Sequence, residues 1–176
     1  MSELALGRAG GLMMIAFCSL GAGTIMVAMV LRRELLKALV APGCLLLAGL
    51  LDVVSAFFHT NGENQRSTTS SNIHLAAGIS TFVLVTVAMF AAVPPLRRTP
   101  AWRRFALPTL LWASAAFGAF FLVPVLGDAQ FGLAQRIFVV VWLSWLGAVA
   151  TVARFHTAPA TADILADTGS RQVELT

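Results

Sequence analysis

The chemistry that this sequence could perform gathers around one carboxyl group in an apolar run. Residues 50–61 read LLDVVSAFFHTN, and Asp52 is the only acidic residue within a predicted membrane span. Asp52, Ser55 and His59 stand at positions i, i+3 and i+7, on one face of a helix. A carboxylate in hydrocarbon costs roughly 2.5–3.5 kcal/mol. We therefore expect Asp52 to face the inside of a helix bundle, to pair with another group or to carry a proton.

A second histidine joins this group across the following loop, because His74 begins the next predicted span at about the depth of His59. Three interpretations stay open. In the first, Asp52 and Ser55 link helices and the histidines cap helix ends. In the second, the group is a hydrolytic site for lipid at the outer leaflet, with Asp52, His59 and His74 as metal ligands or with Ser55 and a histidine as the catalytic pair. In the third, His59 and His74 hold a haem or pigment, or Asp52 serves a coupling ion or proton.

A separate polar pair has a structural interpretation. Asp128 and Arg136 flank the loop GDAQFGLAQR and are able to bridge the ends of the fourth and fifth spans. In the alternative, Arg136 extends its side chain to the lipid headgroups.

The composition indicates a membrane protein. Of the 176 residues, 58% are hydrophobic and 11% charged, whereas a soluble domain has about 25% charged residues. The net charge of +4 comes from arginines in short clusters between apolar runs, a pattern of membrane topology signals rather than of a nucleic-acid surface. The two cysteines, Cys18 and Cys44, form no CxxC motif, so neither a disulfide framework nor a zinc site is indicated.

Apolar segments of about 20 residues predict membrane-spanning helices. Five such segments are present, at about residues 9–31, 38–58, 73–93, 105–126 and 137–153. They predict an all-α bundle with a single transmembrane domain at 1–155 and a flexible tail at 156–176. The loops at 32–37 and 96–104 carry the basic clusters. The positive-inside rule therefore puts these loops and the C-terminus in the cytoplasm and the N-terminus outside.

Smaller signals concern packing and helix ends. Pairs of small residues four apart favour close approach of helices; they are Ser19 with Gly23, Ser114 with Gly118, and Ser144 with Ala148. Pro94 and Pro95 are placed near the end of the third span, where a missing N–H costs least. Trp102, beside the arginines, fits an interfacial aromatic belt.

Four pieces of sequence, in order, resemble a known family. They are SELALGRAGGLMMIAF, the FFHTN that ends the second span, NIHLAAG, and GLAQRIFVVVWLSWL. Together they resemble the bacterial polytopic membrane proteins of domain-of-unknown-function family 998. The positions that match the family's motifs are Ser2, Glu3, Gly7, residues 59–61, Ile73, His74, Gly132, Leu133, Gln135 and Arg136.

The resemblance implies a fold and a topology but no reaction, because the family has no settled activity. Two departures accompany it. The chain starts where the family's second span begins, which implies that the family's first span is missing. FHTN stands where the family tends to have a proline and an aspartate.

The sequence thus predicts a multi-pass helical protein of the bacterial cytoplasmic (inner) membrane. The predicted function is non-enzymatic: an accessory or scaffolding subunit that packs against a larger membrane complex. Its partners would be the lipid bilayer and an integral membrane protein or a second copy, with no nucleic acid. The alternatives are the lipid hydrolase and the haem- or pigment-binding subunit; the cofactor, if any, is not identified. A small transporter fits less well, because no span shows a clear Gly or Pro break near its middle.

Overall fold

The protein is helical throughout the part that the structure describes. This computed structural model describes residues 10–35, 38–58, 68–126 and 131–173, and their side chains except those of 121–126, 131 and 156–173. The elements are α1 (Gly10–Glu34), α2 (Val40–Phe57), α3 (Thr69–Arg98), a 3-10 helix (Pro100–Phe105), α4 (Ala106–Leu126) and α5 (Phe131–Val173). No strand occurs in these ranges, so the predicted all-α class is confirmed.

Four helical segments are long and apolar enough to cross a membrane. They are Gly10–Glu34, Val40–Phe57, Thr69–Arg98 and, within α5, Gly132–Phe155. Their outward faces carry large apolar side chains, such as Leu12, Val140 and Phe155, each more than half exposed. Such a surface would associate in water. In lipid it is the ordinary exterior of a helical bundle, in agreement with the predicted class of protein.

The third helix extends beyond its predicted limits at both ends. Thr68 caps its start, because the Thr68 hydroxyl accepts a hydrogen bond from the Ser71 N–H at 3.3 Å. At the other end the helix continues through Pro94 and Pro95 to Arg98. The stretch 96–104, predicted to be a loop, is therefore helical almost throughout, as the last turn of α3 and the 3-10 helix.

Packing explains why two prolines do not end α3. Val93 and Leu96, on either side of them, are buried, which favours helical geometry at this turn. The helix then closes on Thr99, whose N–H and hydroxyl both donate to the Pro95 carbonyl, at 3.1 and 3.0 Å. Each proline lacks the N–H that would donate to the carbonyl four residues earlier, so packing has to offset the loss of two backbone hydrogen bonds in this part of α3.

The last helix is also longer than the predicted fifth span. Its backbone begins at Phe131 and continues to Val173, through most of the segment predicted to be a flexible tail. The flexibility of residues 156–176 stays a prediction.

The helices form a ring that closes on itself. Each helix packs against the next in sequence, and α5 also contacts α1.

The α1 and α3 helices end in arginine pairs, and the 3-10 helix that follows α3 carries two more arginines. We call this the arginine-rich end of the bundle; it comprises Arg32, Arg33, Arg97, Arg98, Arg103 and Arg104. Trp102 is fully buried here, and its indole N–H donates to Glu34 Oε2 at 3.1 Å. Trp102 thus packs inward, whereas a belt position would face the headgroups.

Helices α1 and α2 approach each other closely at Gly21 and Gly49. A Cβ built on either glycine would lie 2.6 Å from the other's carbonyl oxygen. The predicted pairs do not mark this crossing: a Cβ on Gly23 or Gly118 would meet nothing within 4 Å. Gly23 is two residues from Gly21, and residues two apart point to nearly opposite sides of a helix. The small-residue pair that contains Gly23 therefore lies on a helix of this crossing but on the wrong face of it.

Candidate functional site

The crossing of α1 and α2 places Asp52 inside the bundle. Asp52 follows Gly49 by one helical turn, and its Cβ lies 3.3 Å from where a Cβ on Gly21 would stand. Ser55 lies one turn further along the same face. Asp52 is only 4% exposed and Ser55 only 3%. The bare backbone of α1 at Gly21 thus allows a carboxyl group to be packed where a larger residue would displace it.

His74, near the start of α3, holds the end of α2 in place. Its Nδ1 lies 2.8 Å from the Phe58 carbonyl oxygen and 3.0 Å from the Ser55 carbonyl oxygen. Since both partners are acceptors, Nδ1 carries the proton and donates. The last carbonyls of a helix lack intrahelical donors, so His74 caps α2. This is the capping role that the first interpretation gave to the histidines. The Phe17 ring supports the imidazole from α1 in an edge-to-face contact, with centroids 5.6 Å apart.

Asp52, Ser55 and His74 line one cavity of about 380 Å³. The α1 helix contributes Phe17 and four further residues, and α3 adds Gly78 and Phe82. The fourth wall is α5, with Gln135, Val139, Trp142 and Leu143. These positions lie near the starts of α1, α3 and α5 and the end of α2, so the cavity occupies the half of the bundle away from the arginine-rich end.

Three buried polar atoms of this lining have no hydrogen-bond partner among the described residues. They are Asp52 Oδ2, Ser55 Oγ and Trp142 Nε1. Leaving one buried donor or acceptor unpaired costs about 1–3 kcal/mol, more if it is charged, and native proteins contain few such atoms. Their concentration in a single cavity is typical of a binding site whose ligand completes the hydrogen bonds. Asp52 Oδ2 and Ser55 Oγ make no interhelical hydrogen bond to a described residue, and the linking role of the first interpretation stays a prediction.

Ser55 and His74 are not arranged as a nucleophile and its base. His74 donates to the Ser55 carbonyl oxygen, while the Ser55 hydroxyl has no partner within the described ranges. A serine nucleophile needs a base within hydrogen-bond reach of that hydroxyl. His74 is therefore not placed as the base of a Ser55 nucleophile, and a pairing of Ser55 with His59 stays a prediction.

Two predicted site residues, His59 and Asp128, lie outside the described residues. The proposed metal ligands Asp52, His59 and His74 therefore stay a prediction, as does a haem or pigment held by His59 and His74. Among residues 10–35, 38–58, 68–126 and 131–173, no group of three His, Cys, Asp or Glu side chains could hold a metal ion. Arg136 is exposed near the start of α5, and its bridge to Asp128 stays a prediction.

Sequence reasoning did not find the wall formed by α5. Trp142 and Gln135 face the cavity, but Trp142 belongs to an apolar run that is uniform on all sides. One feature of the sequence could have indicated this wall: a tryptophan indole N–H in an apolar helix needs a hydrogen-bond partner when it is buried. In the same helix, Trp145 meets that need by donating to the Thr109 hydroxyl at 3.4 Å, whereas Trp142 does not.

A second cavity, of about 490 Å³, lies at the arginine-rich end, where Glu34, Arg98 and Thr99 contribute to its lining. None of the three unpaired buried atoms belongs to it. The first cavity is therefore the stronger candidate for a binding site.

A comparison with known families identifies the family of this chain. The model of a family described as "Protein of unknown function (DUF998)" matches residues 1–152. The chain belongs to the DUF998 family. The resemblance to this family that the sequence predicted is thus confirmed. The matched residues include every residue that lines the first cavity. No curated protein and no solved structure matches the chain.

Proposed function

We propose that this DUF998 protein binds a small, partly polar molecule inside its membrane bundle. One observation carries the proposal: the three unpaired buried atoms of Asp52, Ser55 and Trp142 belong to residues that line one cavity. A carboxyl oxygen and a hydroxyl can accept hydrogen bonds and an indole N–H can donate one. The ligand would therefore offer both a donor and an acceptor. The rest of the lining is mainly apolar, as is usual for small-molecule sites.

A binding role is compatible with the non-enzymatic function predicted from the sequence. The position of this protein as an accessory subunit of a larger complex stays a prediction, which co-purification of a partner would test. The lipid hydrolase depends on His59 and also stays a prediction.

Gly78 provides a direct test. It lines the cavity, and a Cβ at this position would meet nothing within 4 Å. A Gly78→Leu substitution should therefore fill the cavity without displacing a helix. Gly118→Leu is the matched control, because Gly118 is an exposed helical glycine with equally open surroundings. It lies on α4, from which no described residue lines the cavity.

The measurement is mass spectrometry of small molecules extracted from the purified chain and its two variants. We expect one species to co-purify with the wild type and with Gly118→Leu and to be lost from Gly78→Leu. Identical extracts from all three proteins would overturn the binding function.

We further propose that the bundle crosses the membrane five times, with its N-terminus outside and its arginine-rich end in the cytoplasm. The helix α4 has 21 residues, which span about 31 Å at 1.5 Å per residue, close to the thickness of a bilayer core. Three separate elements bring arginines to one end of the bundle, as expected for a cytoplasmic face. A bacterial inner membrane stays the predicted location.

Labelling of single cysteines tests this orientation. On a background in which Cys18 and Cys44 are replaced by serine, Thr69→Cys and Ala101→Cys put one exposed thiol at each end of the bundle. In intact cells a membrane-impermeant thiol reagent should label Thr69→Cys alone, and Ala101→Cys should react only after permeabilisation. The reverse pattern would overturn the orientation.

A further inference from the structure

The lining of the cavity is unbalanced in charge. Asp52 is the one acidic residue among the described residues that line it, and none of these is Lys or Arg. A buried carboxylate is stabilised by an opposite charge or by hydrogen-bond donors. The described residues provide neither to Asp52 Oδ2. A cationic ligand would provide both at once.

The polar groups that share the lining with Asp52 offer acceptors. His74 donates its Nδ1 proton to the end of α2, and in the tautomer with one ring proton this leaves Nε2 as an acceptor. The Ser55 hydroxyl and the Gln135 amide oxygen also accept hydrogen bonds. An ammonium group has several N–H donors and thus matches this set, while the unpaired Trp142 N–H would take its acceptor from the rest of the ligand or from water. A carboxylate or phosphate ligand would meet the like charge of Asp52 and no cationic side chain.

The remaining walls suit an apolar body beside the ammonium group. Phe17, Phe82 and Trp142 all line the cavity, and cations are attracted to the faces of such rings. Phe82 is held in place by Phe138, with ring centroids 4.4 Å apart. Aliphatic side chains complete the apolar lining: Met13, Leu20, Val139 and Leu143.

We propose that the cavity binds a small organic amine, with its ammonium group at Asp52 and its apolar body against the aromatic residues. The inference rests on the binding function proposed above and names the class of ligand. At about 380 Å³, the cavity is near the lower end of the usual range for small-molecule sites, about 300–1,000 Å³, so the amine should be compact.

Paired probes of equal shape separate the effect of charge from that of size. Phenethylamine, tryptamine and adamantylamine are each compared with the corresponding neutral alcohol, by titration calorimetry on the purified chain in detergent. Only the amine can pair its charge with the buried Asp52. We therefore expect an amine probe to bind at least about tenfold more tightly than its alcohol. Asp52→Asn, which keeps the shape of the side chain, should abolish this preference and retain binding of the alcohol, which also shows that the variant is folded.

The possible outcomes separate a failure of the amine proposal from a failure of the proposed binding function. An alcohol that binds as tightly as its amine, or an amine preference that survives in Asp52→Asn, would overturn the amine proposal and leave the binding function standing. If wild type binds none of the amines, the amine proposal also fails, while the co-purification experiment still decides the binding function. Equal binding of the probes by wild type and Gly78→Leu would overturn the amine proposal, since the probes would then occupy another place, and the co-purification experiment would still decide the binding function.

Discussion

Replacing Gly49 by alanine puts one methyl group where the backbones of α1 and α2 are closest. The new Cβ would lie 2.6 Å from the Gly21 carbonyl oxygen, 2.7 Å from Ile25 Cγ1 and 3.3 Å from the Ile25 nitrogen. The Ile25 side chain can rotate away, but the carbonyl oxygen belongs to the α1 backbone. Gly49→Ala must therefore push α1 and α2 apart along the wall that supports Asp52.

The expected loss of stability follows from two opposing effects. Overpacking of a close contact costs about 1–3 kcal/mol, and replacing glycine by alanine within a helix returns about 1 kcal/mol. Gly43→Ala is the matched control, because Gly43 is in the same helix, is exposed, and would place its Cβ in open space. The gain in helix propensity cancels between the variants, so Gly49→Ala should be about 1–3 kcal/mol less stable than Gly43→Ala. For a chain of this size that is a difference in Tm of about 2–12 °C.

Thermal unfolding of both variants in the same detergent measures this difference. Gly21→Ala should behave like Gly49→Ala, because its Cβ would meet the Gly49 carbonyl oxygen at the same 2.6 Å. The double variant should lose less than the sum, since the first methyl group already opens the crossing. If Gly49→Ala melts at the temperature of Gly43→Ala, the close crossing does not exist and the argument about the position of Asp52 fails with it.

Two further substitutions concern the cavity. Asp52→Leu should raise the free energy of unfolding by about 1–3 kcal/mol, because it removes a buried oxygen that has no partner; a loss of stability in thermal unfolding would instead indicate an interhelical bond. His74→Phe keeps the ring next to Phe17 but removes the donor to the Ser55 and Phe58 carbonyls. It should lower stability by about 1–3 kcal/mol and speed amide hydrogen exchange at the end of α2, and unchanged exchange there would contradict the capping role.

The helices were predictable because a long apolar run can be recognised from the sequence alone. An apolar run of 18 residues or more indicates a span without knowledge of its neighbours, and a described helix occupies most of each of the five predicted segments. Asp52 was conspicuous for the same reason, since a single carboxyl group stands out against such a background. The ends were harder, because the continuation of α3 through Pro94 and Pro95 depends on burial of the flanking turn rather than on the prolines themselves.

The cavity depended on helix rotation, which an evenly apolar sequence does not specify. Gly21 and Gly23 are equivalent as small residues, and only the crossing angle and register of α2 select Gly21. Likewise, Trp142 and Trp145 are the same residue type in the same apolar run, yet Trp145 donates to Thr109 while Trp142 has no partner among the described residues. Nothing in the sequence distinguishes the two before α4 and α5 are packed together.

The contact between α5 and α1 has a consequence for the order in which the bundle is built. The cavity has walls from α1, α2, α3 and α5, so it does not exist until the last helix is in the membrane. At about 5–20 residues per second, Trp142 is synthesised about 5–20 s after Asp52. During that interval Asp52 has the bare backbone of α1 at Gly21 as its cover. The glycine crossing needs only α1 and α2, whereas the cavity that it helps to shape needs α3 and α5 as well.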